Sequence, residues 1–172
     1  MRVLVTGGAG FIGSHIALKL IDKGYQVTVL DNLLEQIHGA DPDHTSPLYR
    51  SIKDNVRFIK GDVCDKILLE QALEDVDYVI HLAAETGTGQ SMYEIKRYID
   101  VNIVGTALLL DILTNTKNHV KRVVVAESRA IYGEGKYHCE KCGDVYPTER
   151  KDEDMAKGDF ECHCPKCVGK VS

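Results

Sequence analysis

The stretch TGGAGFIGSH, residues 6–15, lies between the β-branched run Arg2–Thr6 and the helical pattern FIGSHIALKLIDKG. Its glycines satisfy Gly-x-Gly-x-x-Gly at Gly8, Gly10 and Gly13, and a second spacing through Gly7, Gly10 and Gly13. Glycines at a strand-to-helix turn allow a tight reversal, close helix–strand packing and approach of a pyrophosphate to the backbone. The helix that follows offers free N–H groups and a positive dipole end to the same phosphates. Glycines alone also serve purely conformational needs. Here strand, turn and helix come in order, and the next run, QVTVLD, ends in Asp31. A carboxylate at that strand end accepts hydrogen bonds from both ribose hydroxyls of an adenosine and repels a 2′-phosphate, which favours NAD over NADP.

The rest of the chain keeps the same alternation. On the first helix, Ile12, Ile16, Ala17 and Leu20 are expected on the core face, with Gly24 as its end. Residues 32–54 carry Gly39, Pro42 and Pro47 and read as a long loop with at most a short helix. Then come the strand NVRFIKGD, a helix over Lys66–Leu73, the strand DYVIHLAA, a long helix over Met92–Thr116 and the strand KRVVVAES. Strands alternating with helices predict an α/β fold, a Rossmann-like doubly wound parallel sheet with right-handed crossovers and the order 3-2-1-4-5.

With 172 residues, 44% hydrophobic and 27% charged, the chain has room for one good core and a small appendage. A net charge of −5 and no long basic run argue against nucleic acid as a partner. No charged-then-apolar leader is seen and no apolar run approaches the ~20 residues that span a bilayer, so the expectation is a cytoplasmic protein without a membrane partner. Cys64 stands apart and reads as a small buried apolar side chain.

The other cysteines crowd into residues 139–167. In a reducing compartment that clustering favours metal over disulfides. CEKC at 139–142 and CPKC at 164–167 are two Cys-x-x-Cys turns, so Cys139, Cys142, Cys164 and Cys167 are the candidate ligands of a structural zinc. Cys162, His163 and His138 are spare groups that could replace one of them. The segment TERKDEDMAKGD between the turns reads as a solvated, mobile connection. Tyr137 and Lys141 have the spacing of a dehydrogenase proton-transfer pair, yet they straddle a cysteine turn. Tyr49 and Lys53 match it too. Both matches read as coincidences.

In sequence order, TGGAGFIGSH, LDN (30–32), GDV (61–63), HLAAE (81–85), VNIVGT (101–106) and SRAIYG (128–133) resemble the signatures of the extended short-chain dehydrogenases/reductases that epimerise or dehydrate nucleotide sugars. The resemblance implies an NAD site comprising Gly7, Gly10, Phe11, Ile12 and Gly13 at the turn, and Asp31 with Asn32 at the ribose. Asp62 and Val63 would flank the adenine, Leu82, Ala83, Ala84 and Thr86 would line pyrophosphate and ribose, and Asn102 would brace that strand. It implies Ser128 as the catalytic hydroxyl that orients a sugar hydroxyl. The position of the cysteine turns and the QIHG stretch resemble the dTDP-L-rhamnose 4-epimerase-like branch.

The expected organisation is an NAD-binding Rossmann domain over 1–133 and a zinc-ribbon-like segment over 134–172, truncated before the family's Tyr-x-x-x-Lys helix and substrate domain. The expected function is NAD-dependent 4-epimerisation of a nucleotide sugar, by an enzyme of which this chain alone is incomplete. Alternatives are a nucleotide-sugar dehydratase, a non-catalytic NAD-binding regulator with a ribbon docking module, or an oxidoreductase that does use Tyr137 and Lys141. An uncovered fifth strand would invite homo-oligomer formation.

Overall fold

Five short apolar runs pair as one parallel sheet: β1 (Arg2–Thr6), β2 (Gln26–Asp31), β3 (Arg57–Lys60), β4 (Tyr78–His81) and β5 (Arg122–Val125). Their order is β3-β2-β1-β4-β5, as the alternation predicted. The computed structural model describes residues 1–172, the side chains of Arg129 and Ala130 excepted. It forms two compact units, Met1–Ala126 and Glu127–Ser172.

In the first unit β1 is buried on both faces, which explains its unbroken apolar run. Leu4 packs with Leu30, Val79, Leu69, Leu109 and Ile112 on one side. Val3 and Val5 pack with Val27, Val29, Ala17 and Ile52 on the other. Helix α1 (Phe11–Asp22) meets the sheet through Gly13, Ser14 and Ala17. Ile12, expected in the core, is exposed instead. The small residues bring the first turns of the helix close to the strands, which leaves Ile12 outside, while Ala17 and the partly buried Leu20 pack on the core as expected.

The segment after β2 is three short helices, α2 (Glu35–His38), α3 (Pro42–Thr45) and α4 (Pro47–Ile52), and not the long loop expected. Both prolines sit in first turns, where the missing N–H costs nothing. Ser46 caps α4 by accepting the Tyr49 N–H, and its hydroxyl lies 2.8 Å from Nδ1 of buried His38, tying α4 back to α2. Helix α5 (Lys66–Ala72) is capped by Asp65.

After β4 and a turn of helix, α6 (Thr88–Ser91), the chain does not form one regular helix from Met92. It runs as α7 (Ile95–Ile99), a π turn over Asp100–Gly105 and α8 (Thr106–Asn115). Gly105 lets the π turn approach Val63: a Cβ there would stand 2.7 Å from Val63 Cγ2. The continuous Ile95–Asn115 helix, mean hydropathy 1.2, is long and apolar enough to cross a membrane by length and composition, which the scan of apolar runs missed. Its Leu109 and Ile112 belong to the core under the sheet, as a β4-to-β5 crossover requires. At the sheet edge, Val124 and Val125 of β5 are exposed.

The second unit contains an antiparallel hairpin, β6 (Tyr137–Cys139) with β7 (Gly143–Val145). Its small core is Cys139, Val145 and Cys164. Residues expected to be a mobile connection include a helical turn, α9 (Asp152–Met155), whose acidic first turn suits the helix dipole.

Candidate functional site

The glycines of the first turn divide by what they are needed for. A Cβ on Gly7, which has φ +66°, would lie 2.8 Å from the Ala83 nitrogen. One on Gly13 would lie 2.3 Å from the Gly7 oxygen, and one on Gly8 2.7 Å from Val29 Cγ1. The protein's own packing therefore demands these three. Gly10 is different: its backbone is ordinary, φ −70° and ψ 177°, and a Cβ would meet only the Gly7 oxygen at 3.4 Å. Gly10 keeps space open at the N-terminus of the twelve-residue α1, which has no side-chain cap and no acidic residue in its first turn. That geometry suits an anion. Phe11 and Ile12 flank it, both exposed.

Asp31, at the end of β2, is buried. Its Oδ2 accepts the Ala9 N–H at 2.9 Å, and its Oδ1 accepts the Leu33 N–H at 2.9 Å. Leu33 adopts a left-handed φ of +52° to make that contact. Nε2 of His38 lies 3.8 Å from the same Oδ1. A carboxylate has about four acceptor sites, so these bonds leave it capacity for further hydroxyls. Asn32 donates to Asp62 Oδ2 at 3.1 Å, and Asp62 Oδ1 accepts the Cys64 N–H at 2.9 Å. Val63 is buried behind them. Burial first, then Asp62, pushes the Cys64 thiol up to about 11. Cys64 packs against the core as expected, though only partly buried, and its thiol donates to the Asp100 carbonyl at 3.1 Å.

Beyond β4, the N–H groups of Leu82 and Ala83 both reach Thr6 Oγ1 at 3.2 Å, and that of Leu82 also meets the Thr6 carbonyl at 3.1 Å. Asn102, on the π turn, accepts the Glu85 N–H at 2.8 Å and donates to the Glu85 carbonyl at 3.0 Å, which holds this segment extended. Ala84 and Thr86 are exposed on it. Sequence reasoning singled out neither Thr6, His81 and Thr106, which tie this segment to the sheet and π turn, nor His38 and Ser46 behind Asp31. The one signal for His81 was its place inside HLAAE. The concavities lined by Arg2, Gln26 and Asp75 lie at the amino ends of the strands and hold none of these residues.

In the second unit the sulfurs of Cys139, Cys142, Cys164 and Cys167 lie within 4.8 Å of one another, and Cys139 and Cys167 are 3.6 Å apart. A tetrahedron with ~2.3 Å metal–sulfur bonds has edges of about 3.8 Å, so the four sulfurs fit one ion. The β6–β7 hairpin presents the first pair across a turn in which Cys142 N–H meets the Cys139 carbonyl. The second pair is wrapped by a hairpin-like return in which Val171 N–H meets the Cys162 carbonyl and Cys164 N–H the Gly169 carbonyl. Ser172 and His138 then exchange backbone bonds. Hydrogen bonding to Cys167 pushes the Cys142 thiol up to about 12. Burial also opposes ionisation of Cys164, but backbone N–H groups of Cys167 and Lys166 outweigh it and bring that thiol down to about 7. The spare groups are engaged elsewhere: Cys162 with Glu134, His138 with Asp144 and His163 with Asp159.

Tyr137 is on strand β6, so it and Lys141 do not share a helical turn. Hydrogen bonding to Cys162 raises the Tyr137 phenol. A proton-transfer tyrosine is served by the opposite shift, from a neighbouring cation. Tyr49 lies on α4, contrary to the expected loop, with Lys53 at its C-cap. Its ring packs edge-on against Phe58, and Lys53 pairs with Asp43. Ser128 belongs to the second unit, exposed at the start of the 3-10 turn Arg129–Tyr132, with its carbonyl accepting the Ile131 N–H.

Known proteins resemble this chain in sequence and fold. The chain is similar to the dTDP-L-rhamnose 4-epimerase of Burkholderia thailandensis, 38% identical over 151 residues, which cover 87% of this chain and 40% of that protein. It is 39% identical over 136 residues to the UDP-glucose 4-epimerase of Halalkalibacterium halodurans, covering 78% of this chain and 36% of that one. The crystal structure of the Bifidobacterium longum UDP-glucose 4-epimerase in complex with NAD+ and UDP superposes with a TM-score of 0.63 at 34% identity, over 77% of this chain and 38% of that one. The chain thus spans about two-fifths of the length of these relatives. Residues 3–151 match the NAD dependent epimerase/dehydratase family, and with the parallel sheet, the glycine turn and Asp31 in place, the chain belongs to that family.

Proposed function

We propose that the first unit is the NAD-binding part of a nucleotide-sugar 4-epimerase and that the second is a zinc ribbon. The observation that carries the first reading is Gly10, a glycine that no internal contact requires, at the open N-terminus of α1. Gly7, Gly10, Phe11, Ile12 and Gly13 would receive the pyrophosphate, and Asp31 with Asn32 would hold the adenosine ribose. Asp62 and Val63 would flank the adenine, and Leu82, Ala83, Ala84 and Thr86, braced by Asn102, the remaining ribose. When bound, the dinucleotide supplies a hydride acceptor and donor for the sugar ring. Ser128 would orient the sugar hydroxyl, since its own hydroxyl both donates and accepts. Strand geometry and the upward shift of its phenol both speak against Tyr137 as the general base. The 172 residues are therefore expected to bind NAD and turn over little.

Four sulfurs within 4.8 Å of one another, with few large apolar side chains around them, support zinc as the element that holds the second unit together. All six cysteines are free, which fits a reducing cytoplasmic setting. The exposed edge of β5 is suited to pairing with further strand or with a second chain.

Calorimetric titration of the purified chain with NAD and NADP tests the cofactor reading. NAD is expected to bind at least about tenfold more tightly than NADP, and Asp31→Ala to abolish the difference. A chain that binds neither nucleotide sinks the reading.

A further inference from the structure

His81 ends β4 and is 3% exposed, yet no step proposed above uses it. Its Nδ1 lies 2.7 Å from Thr6 Oγ1 and its Nε2 3.0 Å from Thr106 Oγ1. The directions of these two bonds follow from the neighbours. Each threonine hydroxyl has one proton to give. Thr106 donates its proton to the Asn102 carbonyl at 2.9 Å, so it must accept from the ring, which puts a proton on Nε2. Thr6 Oγ1 already accepts the N–H groups of Leu82 and Ala83, so its own proton goes to Nδ1, which must be bare. The ring is then neutral and every donor has an acceptor.

A second proton on Nδ1 would turn Thr6 away and leave its hydroxyl proton without an acceptor inside the sheet. Burial acts in the same direction, lowering the His81 pKa. The charged groups joined to the network are Glu85 and Arg97, and they are paired with each other at 2.9 Å, so Glu85 is already neutralised.

Thr6 and Asn102 anchor three residues of the extended segment: Ala83 by its N–H, Leu82 by an N–H shared between the Thr6 hydroxyl and the Thr6 carbonyl, and Glu85 by both backbone groups. His81 joins the Thr6 anchor on β1 to Thr106, which bonds the residue carrying the other anchor. We propose that His81 is a positioning residue for the cofactor, a neutral Nε2–H imidazole that sets the main chain of Leu82–Glu85 between β1 and the π turn. This rests on the NAD reading above, because that segment is what the dinucleotide would lie against.

The test uses the full 172-residue chain. Nitrogen-15 NMR of its histidines, with the His81 signal assigned by its loss in His81→Asn, is expected to show a bare Nδ1 and a protonated Nε2 at neutral pH. A charged ring or the Nδ1–H form overturns the proposal. His81→Asn keeps an acceptor near Nδ1 and loses the link to Thr106, whereas His81→Leu loses both. Amide exchange at Ala83 and Glu85 is expected to accelerate strongly in His81→Leu and less in His81→Asn, while Leu82, whose N–H also bonds the Thr6 carbonyl, is expected to change less. NAD affinity is expected to fall roughly tenfold in the leucine variant and roughly threefold in the asparagine variant. Unchanged exchange and affinity in a folded His81→Leu chain would overturn the proposal. Should the leucine variant not fold, the ring tautomer and the asparagine variant decide. Should the unmodified chain not bind NAD, the function proposed above fails, while the tautomer and amide exchange still decide the role of His81.

Discussion

The backbone N–H of Ala9 donates to the carboxylate of Asp31 at 2.9 Å, which ties the glycine turn of β1 to the end of β2. The same carboxylate accepts the Leu33 N–H through its other oxygen. Asp31 thus has a structural duty beside its proposed ribose duty, and one substitution tests both. Asp31→Ala leaves two buried N–H groups without their acceptor, at about 1–3 kcal/mol each before any relaxation. Urea unfolding of the first unit is expected to shift to lower denaturant, by about 2–4 kcal/mol in total, with NAD binding lost as well. A variant as stable as the parent would show that water replaces Asp31 readily.

The two glycine roles separate by substitution with alanine. At Gly13 a new Cβ meets the Gly7 oxygen at 2.3 Å and Gly8 Cα at 2.6 Å, both backbone atoms. Neither can move aside cheaply, so Gly13→Ala is expected to destabilise the fold by about 1–3 kcal/mol or more. At Gly10 the nearest atom is 3.4 Å away, so Gly10→Ala should cost less than about 1 kcal/mol in stability. Its NAD affinity should nevertheless fall about tenfold or more, because the methyl occupies the proposed phosphate approach. Unfolding curves and NAD titrations on the two variants check the contrast. Equal losses of stability at both positions would remove the argument from Gly10.

The proposed zinc site makes a similarly divided prediction. Metal analysis of the parent chain is expected to find about one zinc, lost in Cys139→Ser and in Cys164→Ser but kept in Cys162→Ser. Chelation should unfold the second unit while the first keeps its circular dichroism, since each unit has its own buried cluster and only the second holds the four sulfurs. Zinc retained by both ligand variants would assign the site to other residues.

What could be read from residue order alone follows from where each interaction is encoded. The sheet order was legible because each strand is a local apolar run and each crossover a local helical pattern. The cysteine site was legible because Cys-x-x-Cys sets two sulfurs on one turn, a covalent-scale constraint. The α2–α4 helices were not, since they depend on His38 meeting Ser46 and on prolines serving as helix starts, where composition suggested loop. On α1 the expected Ala17 is buried and Leu20 packs against the core, but Ile12 was misassigned because size was read as burial, while close packing of the first turn selected Gly13 and Ser14. The π turn at Asp100–Gly105 leaves no periodic trace. It is held by Asn102 and Thr106, whose partners are remote in sequence.

His81 also makes stability depend on pH with a definite sign. Its folded pKa is lowered by burial, whereas the unfolded chain binds the proton at the ordinary value of about 6.5. Below that value the unfolded state takes up more protons than the folded state. The contribution is therefore complete above about pH 6.5 and is lost as pH falls through that value toward the lower folded pKa. Other histidines and carboxylates titrate as well, so the useful quantity is the difference between the parent and His81→Asn, which has no proton to gain there. Urea midpoints measured from about pH 7.5 down to about pH 5 are expected to fall more steeply for the parent than for the variant. Parallel slopes, or a steeper fall in the variant, would mean that His81 takes up its proton within the fold as easily as outside it, and Thr6 and Thr106 would then not hold the ring in a single neutral form.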